Sequence, residues 1–97
     1  MRFPDWENPI IIFNSSFTGS SKSGIVPKDG ILCTYIGANS QFFIGRNGFF
    51  TEVARHGVGS IKYNHFIMNT TPVKKGDTWF FKNSDGALHV VKLIPYK

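Results

Sequence analysis

An all-β fold, an antiparallel β-sandwich of jelly-roll-like build with about seven or eight short strands, is what this sequence predicts. Three observations carry the prediction. No window of eleven or more residues shows a 3.6-residue apolar period, and no helix cap is followed by helix formers. Short β-branched and aromatic runs are bounded instead by Gly, Asn, Asp and Pro, with the 10 glycines and 5 prolines scattered singly as turn punctuation. Finally, three phenylalanine pairs, Phe42-Phe43, Phe49-Phe50 and Phe80-Phe81, lie in strand-like segments. Neighbouring side chains on a strand point to opposite faces, so each pair directs one ring inward and one outward. Each ring carries roughly 150–250 Å² of surface. Both faces of these strands therefore need cover, from this chain or from a second copy.

The elements follow in order. Met1 to Asn8 is a lead-in, with Pro4 and Pro9 blocking a helix. Ile10 to Phe13 is a first strand, and Asn14 to Gly24 is a small-residue loop or weak exposed edge. Ile25-Val26-Pro27 leads into the turn Lys28-Asp29-Gly30, Ile31 to Ile36 is a strong strand, and Gly37 to Ser40 turns the chain. Gln41 to Ile44 and Phe49 to Ala54 flank Gly45-Arg46-Asn47-Gly48, where Asn-Gly supplies the positive-φ positions of a tight hairpin. Ile61 to Met68 is strand-like, Thr71 to Asp77 is a loop and turn, and Thr78 to Phe81 pairs with Leu88 to Ile94 around Asn83 to Gly86.

Ninety-seven residues make one domain, read as a lead-in over 1–8 and a single sandwich over 9–97. With 41% hydrophobic and only 18% charged residues, the chain has the composition of a compact fold and not of a disordered one. Its longest apolar run is too short to span a bilayer, and Met1 onward lacks a charged-then-apolar export signal, so a soluble chain with no membrane insertion is expected. The single cysteine, Cys33, allows no internal disulfide and no zinc cluster, and its apolar neighbours predict a buried structural thiol. The net charge of +5 is spread from Arg2 to Lys97 with only Lys74-Lys75 adjacent, which argues for solvated strand exteriors over a nucleic-acid surface.

Catalytic signals are missing. His56, His65 and His89 are not spaced as metal ligands on one strand, and Asp29, Asp77 and Asp85 each neighbour a glycine, as turn residues do. The serines lack a nucleophile elbow, and there is no phosphate-cradling loop. A non-enzyme without cofactor or metal is expected. Asn14-Ser15-Ser16 and Asn69-Thr70-Thr71 read as ordinary polar loop residues. Trp6, Trp79, Tyr35, Tyr63 and Tyr96 offer flat faces for a sugar or a protein, with core packing favoured for Trp79, and Arg46 and Asn47 stand at a hairpin tip.

Thr71-Pro72-Val73-Lys74-Lys75-Gly76-Asp77-Thr78-Trp79, a polar turn, and Val91-Lys92-Leu93-Ile94-Pro95-Tyr96-Lys97 together resemble the C-terminal domain of phage and prophage tail-fibre proteins. Val26-Pro27-Lys28-Asp29-Gly30-Ile31-Leu32, the Asn47-Gly48 hairpin and the opening Phe3-Pro4-Asp5-Trp6 fit the same layout, so the resemblance covers nearly the whole chain. It implies a β-sandwich head that trimerises at a fibre tip in the virion and binds a cell-surface receptor, often a glycan. Such heads usually end a long chain, whereas this sequence starts at Met1 with no shaft.

The expectation is thus a homotrimer whose outward rings, assigned to Phe43, Phe50 and Phe81, pack toward the threefold axis, with Arg46, Asn47 and Tyr63 as receptor contacts. The competing readings are a monomeric carbohydrate-binding module using the same aromatics, and a small basic nucleic-acid-binding barrel.

Overall fold

The computed structural model describes residues 2–19, 21–37, 39–56, 67–82 and 84–97. These residues contain eight strands: β1 (Ile10–Thr18), β2 (Lys22–Ile25), β3 (Gly30–Ile36), β4 (Gln41–Arg46), β5 (Phe49–Arg55), β6 (Ile67–Val73), β7 (Thr78–Lys82) and β8 (Asp85–Pro95). They form two four-stranded antiparallel sheets, ordered β1-β8-β3-β6 and β2-β7-β4-β5. First pairs with last: β1 with β8, β2 with β7, β3 with β6 and β4 with β5. The chain doubles back at Asn47-Gly48, and the doubled ribbon rolls so that β8 also meets β3 and β7 also meets β4. That nested pairing is a jelly roll, and the expected sandwich is present.

Several local expectations change. Thr78 to Phe81 and Leu88 to Ile94 do not pair with each other, because β7 and β8 belong to different sheets. Asn14 and Asn69 lie in β1 and β6 and not in loops, and Thr71 to Val73 complete β6. The expected strand Ile61 to Met68 lies outside the described residues up to position 66. The lead-in is fastened to the body: Pro4 bridges Tyr96, the Asp5 amide donates to the Pro95 carbonyl and the Lys97 amide to the Phe3 carbonyl.

Alternation within each strand builds the core. On β3, Leu32, Thr34 and Ile36 face inward while Ile31, Cys33 and Tyr35 face out. On β7, Trp79 and Phe81 are buried while Thr78 and Phe80 face out. Phe17, Val26, Phe42, Val73, Val91 and Leu93 complete the cluster between the sheets. The assignment of Phe81 to the outward set is therefore overturned. Trp79 and Phe81 share a face two residues apart, and Phe81 lies opposite the buried Phe42, so Phe80 is the ring turned out.

Each edge strand carries a feature that discourages pairing with another sheet. β1 has two register shifts, β5 has a bulge at Val53, β2 is four residues long, and β6 contains Pro72. Contact with another molecule is left to the faces and the two ends. At one end the Val26–Gly30 loop, the Asn47-Gly48 turn, the β6–β7 turn and both chain termini meet, with Gly76 donating to the Val26 carbonyl and Val26 to the Asp77 carbonyl.

Candidate assembly face and polar cleft

Two surfaces emerge. The first is the outer face of the β2-β7-β4-β5 sheet. Register places Phe43 opposite Phe80 and Gly45 opposite Phe50. The ring centroids of Phe43 and Phe80 lie 5.7 Å apart and those of Phe50 and Phe80 6.0 Å apart. With Lys82 these rings line a depression of about 410 Å³. Gly45 makes room for this arrangement, since a Cβ there would fall 2.6 Å from the Phe50 ring. Phe50 is 54% exposed, and Ile25 on the same face of β2 is 62% exposed.

One border of this face is ionic. Glu52 accepts from Arg55 Nε and Nη2, at 3.0 Å each, and from Gln41 Nε2 at 2.7 Å. The Arg55 donors, then Gln41, hold the Glu52 carboxyl below its ordinary pKa. An apolar centre with a polar border has the anatomy of a protein interface. The expected outward positions of Phe43 and Phe50 agree with this face, and Phe80 takes the place given to Phe81. The Phe49-Phe50 pair departs from the one-in, one-out rule: Phe49, opposite Arg46 beside the hairpin turn, is also highly exposed. It sits at the tip of an edge strand and outside the core cluster.

The second surface is a cleft of about 310 Å³ at the terminal end, lined by Asp29, Arg46, Pro72, Val73, Lys74 and Tyr96. Arg46, expected at a free hairpin tip, ends β4 and grips Asp77. Its Nε and Nη2 donate to the two carboxylate oxygens at 2.7 Å each, and the Lys74 amide adds a third bond at 2.9 Å. Asp77 is only 3% exposed, and the Arg46 donors hold its pKa below the ordinary carboxylate value. Asp29 accepts from the Lys75 amide at 2.8 Å and from Arg2 at 3.2 Å, while the Arg2 guanidinium lies 5.0 Å from the centre of the Tyr96 ring. Asn47, at φ 54°, and Gly48, at φ 82°, form the turn itself. Tyr63 lies outside the described residues.

Two further features have chemistry in principle. Ser40 Oγ and His89 Nε2 are 2.6 Å apart, the spacing of a nucleophile and its base. Both are fully buried, and His89 packs against Phe17 and Phe81 at 4.7 and 4.8 Å. The pair ties the β3–β4 turn to β8. Cys33 is half-buried, not buried as expected, because odd positions of β3 face outward; it lines a shallow depression with Tyr35, Met68 and Lys92. Partial burial raises its thiol pKa and keeps the sulfur protonated. Among the described residues no group of His, Cys, Asp and Glu is placed to hold a metal, and no helix is long and apolar enough to cross a membrane. Compared with known proteins, the chain matches no family model, no curated protein and no solved structure.

Proposed function

We propose that this chain is a non-catalytic attachment domain: the tip of a phage or prophage tail fibre, assembled as a homotrimer and binding a host cell-surface receptor, a glycan, during adsorption. The observation that carries the assembly half is the contiguous outward ring cluster of exposed Phe50 with half-buried Phe43 and Phe80, on a sheet whose edges all discourage strand addition. Exposed apolar patches bordered by polar groups mark contact sites on soluble proteins. The ordered sequence motifs supply the fibre reading, and jelly rolls host viral capsid and lectin domains, a support at the level of fold alone.

Ring geometry favours a protein partner over a sugar on this face. Phe43 and Phe80 are inclined by 45° and Phe50 and Phe80 by 62°, so the three rings make knobs and hollows and not the flat platform of a monomeric carbohydrate-binding module. Light scattering on chromatographed protein at low micromolar concentration tests the reading. The expected mass is three times the 10.9 kDa of one chain. Phe43→Ser, Phe50→Ser and Phe80→Ser combined should give a folded monomer with an unchanged far-UV spectrum. A wild-type monomer would overturn the assembly.

A further inference from the structure

We infer that the terminal cleft beside Tyr96 binds an acidic glycan, one bearing phosphate or carboxylate groups. The inference names the ligand class for the receptor-binding half of the reading above and rests on it. Its basis is charge gathered by topology. Cations far apart in sequence, Arg46 at the end of β4 and Arg2, Lys28, Lys74, Lys75 and Lys97 in the loops, turns and termini, meet at this end.

Of the nearby acids, Asp29 and Asp77 are each paired with an arginine. Both Asp77 oxygens are held by Arg46, and one of them also by the Lys74 amide. Asp29 has one oxygen on the Lys75 amide and the other on Arg2. Of the lead-in acids, Asp5 accepts from Asn8, and Glu7 forms no ion pair. Among the described residues, Lys28, Lys74, Lys75 and Lys97 form no ion pair either. Lys74 therefore presents an ammonium outside any ion pair, beside the Asp77-bonded guanidinium of Arg46, to a concavity whose 310 Å³ fits the roughly 300–1,000 Å³ of small-molecule clefts. Arg2, exposed and lying over Tyr96, is placed to meet an incoming acid.

The test is titration of the full chain with a hexagalacturonate, a carboxylate-bearing hexasaccharide, at low salt, followed by calorimetry and amide chemical shifts. Shifts should centre on Arg46, Lys74 and Tyr96, and affinity should fall as salt screens the charges. Lys74→Glu with Lys75→Glu should weaken binding about tenfold or more, Lys74→Gln with Lys75→Gln less, and Lys22→Glu with Lys92→Glu, outside both surfaces, should leave it unchanged. Equal binding of neutral maltohexaose, equal loss in the Lys22/Lys92 variant, or tighter binding of a thymidine oligonucleotide would overturn the inference. No binding by an intact trimer would sink the cleft alone, whereas a monomer that still binds the hexasaccharide at this end would sink the assembly and leave the cleft.

Discussion

Two aromatic clusters lie back to back across the single layer of β4 and β7. The inner one joins Phe42, Trp79 and Phe81 to Phe13, Phe17 and His89 of the opposite sheet. The outer one, Phe43, Phe50 and Phe80, has no second sheet over it among the described residues. The ring contacts themselves are alike, with centroids 4.7 Å apart for Phe42 and Phe81 and 5.7 Å for Phe43 and Phe80. Such contacts contribute roughly 0.5–1.5 kcal/mol beyond burial in either setting. What differs is removal from water, complete for Phe42 and Phe81 inside and partial for the rings outside. One residue type at alternating positions thus does two jobs: the inner rings hold the monomer together, and the outer rings gain most of their stabilisation only when covered.

The sharpest way to break that division is Phe81→Ala. It should cost about 3–5 kcal/mol, a large part of the roughly 5–15 kcal/mol that holds a domain folded. Urea unfolding monitored by tryptophan fluorescence measures it, on the triple-serine background so that loss of the proposed assembly is not counted. Phe80→Ala, in the otherwise wild-type chain at concentrations where light scattering finds the monomer, should shift the midpoint far less. Similar losses for the two variants would erase the distinction between the faces.

Next in size is the Arg46–Asp77 clamp, which follows directly on Gly45 and anchors the hairpin tip below the outer rings. Asp77→Asn removes a charge-assisted, two-pronged contact and should cost about 2–3 kcal/mol. The pH dependence has a definite sign. The folded pKa of Asp77 lies below its ordinary 3.8, so the pair's contribution is complete at neutral pH and is lost as acid carries the pH below that value toward the lowered one. Between about pH 5 and about pH 3 the Asn variant should therefore lose less stability than wild type. Parallel acid curves would show that the clamp is not what holds the tip.

Why the class of fold was legible and the placement of rings only partly so follows from the reach of each signal. Gly, Asn and Pro punctuation is local, and strands such as β3 and the Asn47-Gly48 hairpin are local consequences of it. A turn signal does not say whether the next strand pairs with the last one or crosses to the other sheet. Asn83 to Gly86 therefore reads as a hairpin although β7 and β8 part company there. Trp79 two residues before Phe81 was a usable indicator of the buried face, since two large apolar residues at that spacing share a side. The polar cleft had no such indicator. Arg46 and Asp77 are 31 residues apart, and Arg2 and Asp29 are 27 apart, so only the rolled topology brings the cations of that end together.

The finest test of the two faces uses glycines that do the same job on opposite sides. Gly24 lies under the Trp79 indole, where a Cβ would come within 2.7 Å, and Gly45 lies under the Phe50 ring at 2.6 Å. The nearest distances are almost equal, but the freedom of the rings is not. Trp79 is 4% exposed and packed against Phe13 and Phe81, so an added methyl must push the indole into the core. Gly24→Ala should cost about 1–3 kcal/mol. Phe50 is more than half exposed and can swing toward solvent, so Gly45→Ala should cost less than about 1 kcal/mol in the monomer, the range of surface changes and small strain. The swing would nonetheless separate Phe50 from Phe80 and roughen the face. Gly45→Ala should therefore weaken self-association in light scattering while leaving the urea midpoint of the dissociated chain nearly in place. If instead both glycine variants lower the midpoint equally, the Phe50 ring is as firmly held as the indole and the outer cluster belongs to the monomer's own stability.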